Sequence, residues 1–267
     1  MIFCFSGTGN SLLVARELAS RTGLAVTMLE RELLSHPSRH LFELSEGEDV
    51  IWVFPVYSWG APPVVRRFIR KVKLKVLAGN GATLSDADAS ARHWMVATCG
   101  DDIGRADDQW RREVGRRGWS PRGAFSVEMP NTYVCMKGFE VDSKEVERQK
   151  LAAMPARVGE IVEAMRRGFS DSDVVRGDYA WLKTAAVYPL FRAFCMSPAP
   201  FASDPDKCEG CGLCARECPL GNIEMKDGRP QWGPACALCL RCFHGCPTRA
   251  IDYGKASLGK AQKPVYR

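Results

Sequence analysis

Eight of the chain's twelve cysteines fall into two runs of identical spacing. The first is Cys208-x2-Cys211-x2-Cys214-x3-Cys218-Pro219, and the second is Cys236-x2-Cys239-x2-Cys242-x3-Cys246-Pro247. Three thiolates spaced by two residues can wrap one iron–sulfur cubane in a single tight loop, while the fourth starts the next turn and points elsewhere. In two-cluster ferredoxins that fourth cysteine ligates the other cluster. The spacing therefore predicts one [4Fe–4S] cluster on Cys208, Cys211, Cys214 and Cys246, and a second on Cys236, Cys239, Cys242 and Cys218. Zinc is the competing metal, but a structural zinc site takes two pairs of ligands and needs neither a third close cysteine nor a Cys-Pro ending. His244 falls inside the second run, where four thiolates already complete the set, so it is expected beside the ligands or facing solvent.

The 267 residues suit two domains rather than one, at roughly 150 residues per domain. Disulfides would explain twelve cysteines in a small secreted protein, but no basic n-region or cleavage site precedes the first strand, so metal binding in the cytoplasm is expected. The net charge of +6 comes without an aromatic-interleaved basic stripe, so no nucleic acid partner is expected. Arg66, Arg67, Arg70, Lys71, Lys73 and Lys75 gather after one helical pattern, as a solvated face or a docking patch for an acidic partner. No apolar run reaches the roughly 18 residues of a membrane span. The nearest, from Trp181 to Ala199, is broken by Lys183, Pro189 and Arg192 and reads as a linker helix docked on the protein, with a membrane contact through its aromatics as the alternative.

Ahead of the connector, short β-branched runs alternate with amphipathic segments, the pattern of a parallel sheet with crossover helices. Strands are expected at Ile2–Phe5, Ala25–Leu29, Val50–Pro55, Trp94–Thr98 and Ala124–Met129. Helices are expected at Ser11–Ser20, Pro63–Val72, Arg105–Arg117 and Ser143–Arg167, the last capped by Asp142 or Ser143 and kinked or broken at Pro155. Five such strands fit the flavodoxin-like doubly wound α/β order, whose ligand sits at the switch point between strands 1 and 3. The expected organisation is a flavodoxin-like domain over 1–168, a connector over 169–200 and a small α+β ferredoxin domain with a tail over 201–267. Residues 79–91, small and polar, read as a loop.

Three loops follow the carboxyl ends of these strands. The first is Ser6-Gly7-Thr8-Gly9-Asn10-Ser11, whose hydroxyls and helix-opening N–H groups suit a phosphate without any lysine. It lacks the Gly-Lys-Ser/Thr of a P-loop, and Leu12 replaces the third glycine of a dinucleotide fingerprint. The second runs from Pro55 through Val56, Tyr57, Ser58, Trp59 and Gly60, with two rings able to stack on an isoalloxazine or simply to pack under the loop. The third is Thr98-Cys99-Gly100-Asp101, where Gly100 admits close approach and Asp101 offers an acceptor. Together the loops point to FMN. Cys4, Cys99, Cys135 and Cys195 have no partner motif. His40 and His93 are isolated, and no catalytic constellation stands out.

With the paired cysteine runs and Met129-Pro130-Asn131, these loops resemble the EFR1 family of ferredoxins over nearly the whole chain. The resemblance implies a flavodoxin domain fused to a two-cluster ferredoxin, one FMN, and an electron carrier of anaerobic or microaerobic bacteria with redox proteins as donor and acceptor. It implies that 129–133 close over the cofactor edge. Flavodoxins are acidic whereas this chain is basic, so their partners do not transfer. A relay between FMN and the clusters is the leading expectation. The alternatives are a flavin-dependent reductase of a small organic substrate or metal centre, and a dedicated donor to one partner enzyme.

Overall fold

The computed structural model describes residues 1–77, 83–86 (backbone only) and 91–267. Its centre is a six-stranded parallel sheet in the order β2-β1-β4-β7-β8-β9. The strands are β1 (Ile2–Cys4), β2 (Val26–Met28), β4 (Asp49–Pro55), β7 (Arg92–Cys99), β8 (Ser120–Glu128) and β9 (Ser172–Asp173). Outside it, β3 (Leu41–Ser45), β5 (Lys73–Leu77) and β6 (Thr83–Asp86) form a separate three-stranded sheet. Without that side sheet and the edge strand β9, the order is 2-1-3-4-5, the flavodoxin-like arrangement.

Side chains of a strand alternate between faces, and each face here has its own core. Ile2, Cys4, Ile51, Val53, Trp94 and Val96 face α1 (Asn10–Thr22) and α5 (Lys144–Arg166), meeting Val14, Leu18, Val158 and Ile161. Phe3, Phe5, Trp52, Phe54, Met95 and Ala97 face α3 (Pro63–Lys71) and α4 (Ala106–Gly115), meeting Val65, Phe68, Trp110 and Val114. A shift of one residue along any strand would exchange the two sets, so register is strongly fixed. The short α2 (Arg31–Ser35) leads towards the side sheet.

Several expectations change. The stretch 79–91 contains β6 rather than only loop, and its positions 79–82 and 87–90 lie outside the described residues. Ser143 caps α5 through its Oγ, which accepts from Val146 N at 3.3 Å, and the helix continues through Pro155 without a break. Arg66 and Arg70 both bind the fully buried carboxylate of Glu113 on α4, Arg66 mostly buried and Arg70 with half of its side chain still in solvent. Burial opposes ionisation of Glu113, but hydrogen bonds from Arg70 and Arg66 outweigh it and hold its pKa at about 2.

The connector is a docked element. The helical stretch 180–195, with π turns at Lys183–Val187 and Phe191–Cys195, lies on the loop after β4. Thr184 Oγ1 donates to Trp59 O at 2.8 Å and accepts from Arg105 N, and Tyr188 OH donates to Ala61 O. Beyond it, β10 (Phe201–Ser203) pairs with β13 (Ile251–Tyr253), and β11 (Ile223–Lys226) with β12 (Arg229–Trp232), both antiparallel. Among the described residues no helix is long and apolar enough to cross a membrane.

Candidate functional site

The carboxyl ends of β1, β4, β7 and β8 open into one cavity of about 620 Å³. Of the expected flavin-loop residues, Ser6, Gly7, Thr8, Asn10, Ser11, Pro55, Tyr57, Ser58, Trp59, Thr98, Cys99, Gly100 and Asp101 line it. Gly9 and Gly60 do not, because each is covered from outside. A Cβ on Gly9 would lie 2.4 Å from Tyr266 O, and one on Gly60 would lie 2.5 Å from the Tyr188 ring. Both glycines therefore allow close packing beneath the cavity wall. Gly9 also has φ 102°, in the left-handed region that lets β1 turn into α1.

The loop after β4 is a two-residue turn of I′ type: Tyr57 N donates to Gly60 O, Gly60 N returns to Tyr57 O, and Ser58 and Trp59 have φ of 45° and 63°. Non-glycine residues in that region carry strain, and here it presents Ser58 and Trp59 to the cavity. Lys183 Nζ lies 5.1 Å above the Trp59 ring and binds Asp102 Oδ2 at 2.7 Å, so one cation ties the roof to two cavity loops. The hydroxyls beneath are ordered as well. Ser6 Oγ accepts from Gly9 N at 3.1 Å, and Ser11 Oγ shares a hydrogen bond with Thr98 Oγ1 at 2.7 Å. Lys150 Nζ binds Gly100 O and Asp142 Oδ2, and Asp142 Oδ2 accepts from Asn131 N, which couples the third loop to 129–133. Burial pushes the Cys99 thiol up to about 12, so it stands in the wall as a neutral group.

Several lining residues were not expected from the sequence. Val187, Leu190, Phe191 and Phe194 come from the helical roof, and Leu238, Cys239 and Leu240 come from the second cysteine run. Leu238 and Leu240 have φ of 53° and 61°, yet both are buried. Twenty-eight residues earlier, the same positions of the first run are Gly210 and Gly212, also at positive φ. Comparing the two runs side by side would have found this substitution, because leucine in a glycine position needs a packing reason.

Cys218 shares the walls of a second, smaller cavity with Cys236, Cys239 and Cys242, while Cys246 and Cys211 lie close enough to Cys214 to add to the burial that raises its thiol. The fourth cysteine of each run thus sits beside the other run. Among the described residues no three His, Cys, Asp or Glu side chains converge tightly enough to hold a single metal ion; these thiols stand around a space instead. Cys211 is exposed, while burial pushes the Cys239 thiol up to about 12. Cys239 and Leu240 line both cavities, and Tyr57 lines the larger one, where burial above all holds its phenol protonated. His244 is buried rather than solvent-facing. Its Nδ1 accepts from Lys263 N, so Nε2 is the donor to Thr132 O at 2.8 Å. That ring joins the cysteine-rich part, the C-terminal tail and the 129–133 loop. Tyr266 N also donates to Thr8 O, which lays the tail on the first loop.

Residues 202–224, which contain the first cysteine run, match the 4Fe-4S binding domain family. No curated protein matches the chain. Solved structures similar to it include the Trp repressor binding protein from Bacillus subtilis, at 16% identity over 59% of this chain and 97% of that one, with TM-score 0.34. Another is an azoreductase from Bacillus anthracis strain Sterne, at 8% identity over 62% and 98%, with TM-score 0.36. The strand order defines the α/β fold, and the family match indicates iron–sulfur electron transfer for the C-terminal part of the chain.

Proposed function

We propose that this chain is an electron relay, with FMN in the 620 Å³ cavity and two [4Fe–4S] clusters on the crossed cysteine sets. One observation carries the reading: Cys239, a ligand of the second run, stands in the wall of the same cavity as the Ser6–Ser11 loop. The residues fit a flavin. Hydroxyls and the N-terminus of α1 would hold its phosphate without a cation, and Tyr57 and Trp59 offer ring faces. Thiolates around a space suit a cubane better than a single ion. When bound, FMN supplies two-electron chemistry and the cubanes one-electron steps, so the chain would exchange paired for single electrons.

The protein's own work is placement and insulation. Gly7 lets the first loop lie against Cys239, and buried Leu238 and Leu240 keep water from the gap between the two cavities. Cys211 at the surface gives the first-run cluster an edge that a redox protein can reach. Of the basic residues read as a docking face, Arg66 and Arg70 are engaged by Glu113, Arg70 with half of its side chain still exposed.

The test is an anaerobic preparation assayed for iron, sulfide and extracted flavin, with about eight irons and one FMN per chain expected from two cubanes and one flavin. A low-potential one-electron donor should then bleach the flavin band with no added substrate. Iron without flavin, or a flavin that stays oxidised once the cluster absorbance has gone, would remove the relay.

A further inference from the structure

The two cysteine runs repeat at 28 residues, but their surroundings do not repeat with them. Four residues before the first cysteine of each run stand Asp204 and Trp232. Asp204 keeps to the surface: it pairs with Lys207 at 2.8 Å and accepts from Asp206 N at 3.0 Å. Trp232, the last residue of β12, turns inward and lines the smaller cavity with Cys218, Cys236, Cys239 and Cys242.

The indole is held firmly. Phe201 stacks on it at 5.4 Å and 13°, Tyr253 meets Phe201 edge-on at 4.9 Å, and the strand register sets Trp232 opposite buried Ile223. Its Nε1–H is buried and has no hydrogen-bond partner among the described residues. A buried donor without an acceptor loses its hydration and gains nothing in return, so an orphan in a cavity walled by four thiols calls for an acceptor inside that cavity.

We propose that the Trp232 indole N–H donates to a sulfur of the cluster held by Cys236, Cys239, Cys242 and Cys218, and raises that cluster's reduction potential. The proposal rests on the reading that these thiols hold a cubane. Reduction adds one electron, from a one-electron donor, and no bond is made or broken. The added charge falls largely on the sulfurs, and a donor aimed at sulfur stabilises the reduced, more negative state. The first run has Asp204 at this position, turned to its own turn and to Lys207, and receives no such bond. The indole therefore makes the cluster beside the larger cavity a better electron acceptor than the same site without it, and favours transfer inward from the exposed Cys211 side.

The test is a potentiometric titration of the full chain, reconstituted anaerobically and followed by electron paramagnetic resonance, for the native protein and Trp232→Phe. Phenylalanine keeps a ring for Phe201 to stack on and lacks the N–H. One of the two potentials should fall and the other stay, shifting the electron distribution between the clusters about three- to tenfold, where tenfold is about 59 mV for a one-electron couple. The Cys246→Ser chain, left with the Trp232 cluster alone, should show the same fall when Trp232→Phe is added. Two unchanged potentials, or two that fall together, would overturn the proposal. A measurement on the native protein does not depend on the variant's folding: tryptophan labelled with ¹⁵N in the indole should give a nitrogen hyperfine coupling to one reduced cluster. Absence of that coupling also overturns the proposal. Absence of iron and labile sulfide instead overturns the cluster reading beneath it, and the two failures are told apart by that assay.

Discussion

A Cβ placed on Gly7 would lie 2.5 Å from the carbonyl oxygen of Cys239 and 2.8 Å from the Cys239 Cβ. Both opposing atoms belong to a loop fixed by its cysteine and by two buried leucines, so the neighbour cannot swing aside as a flexible side-chain end would. Gly7→Ala is expected to destabilise the chain by about 1–3 kcal/mol, as overpacking does, and to lower the flavin-to-iron ratio by parting the two loops. Gly115→Ala is the control, because nothing lies within 4 Å of its added methyl. Thermal melting and cofactor assay of both variants check this. A Gly7→Ala protein with native stability and native flavin content would mean that the loops need no contact.

Glu113 has no exposed side-chain surface, and Arg66 and Arg70 reach it from α3 at 2.5–2.9 Å. Removing one partner of a buried pair strands the other charge. Glu113→Ala should therefore cost about 3–5 kcal/mol in urea unfolding. Arg70→Ala should cost about 1 kcal/mol or less, since Arg70 is half exposed and Arg66 still neutralises the carboxylate. Equal losses for the two variants would show that the carboxylate is better solvated than its burial implies.

The sheet and both cysteine runs were legible because their signals are local. Continuous apolar runs such as Ile2–Phe5 and Val50–Pro55 mark strands buried on both faces, and cysteine spacing needs no tertiary knowledge. The side sheet is harder to see: Lys73-Leu74-Lys75-Val76 alternates as a half-buried strand should, but its lysines equally suit the charge cluster that follows α3. Glu113 could not be assigned to Arg66 and Arg70 from sequence, since 43 to 47 residues separate them and only the packing of α3 on α4 joins them. That the linker helix docks is expected from its sequence, but which loop it covers is not, for the same reason. Its Thr184 and Tyr188 bonds to the loop after β4 span more than 120 residues.

His93 sets an acid limit on stability. Its Nδ1 accepts from Trp52 Nε1 at 3.1 Å, and its ring lies 4.8 Å from Trp119 at 7°, so the neutral form is the one that fits. Burial, with the nearby charge of Arg117, lowers its pKa from 6.5 to about 3. Between those values the unfolded chain binds the proton and the folded chain does not. This contribution is therefore complete above about pH 6.5 and is lost as pH falls towards 3, at up to about 1.4 kcal/mol per pH unit. Urea midpoints between pH 7 and 4 should fall less steeply for His93→Phe than for the native chain. Parallel slopes would show that other groups set the acid limit.

Leu238 and Leu240 hold a conformation that glycine takes freely, at a cost of roughly 1–2 kcal/mol each for a left-handed backbone. Each returns about 1.5–3 kcal/mol by burying its side chain. The double change Leu238→Gly and Leu240→Gly, which copies Gly210 and Gly212 of the first run, should thus leave stability within about 2 kcal/mol of native while opening a water path to Cys239. Faster loss of cluster absorbance in air, with little change in melting temperature, is the expected result. Unchanged air sensitivity would assign these leucines to packing alone.

The crossed assignment makes the two fourth cysteines unequal for the flavin. Cys218 faces Cys236, Cys239 and Cys242, whose loop lines the larger cavity, whereas Cys246 faces the Cys211 and Cys214 side. Cys218→Ser should then remove about half of the iron together with the cluster beside the flavin cavity. Flavin bleaching by a low-potential donor should slow at least tenfold. Cys246→Ser should remove about half of the iron as well, yet leave bleaching within about threefold of native, because the cluster next to Gly7 survives. The reverse pattern would mean that each run keeps its own fourth cysteine. Equal slowing in both would mean that electrons reach the flavin only through both clusters in series, and the exposed edge at Cys211 would then be their sole way in.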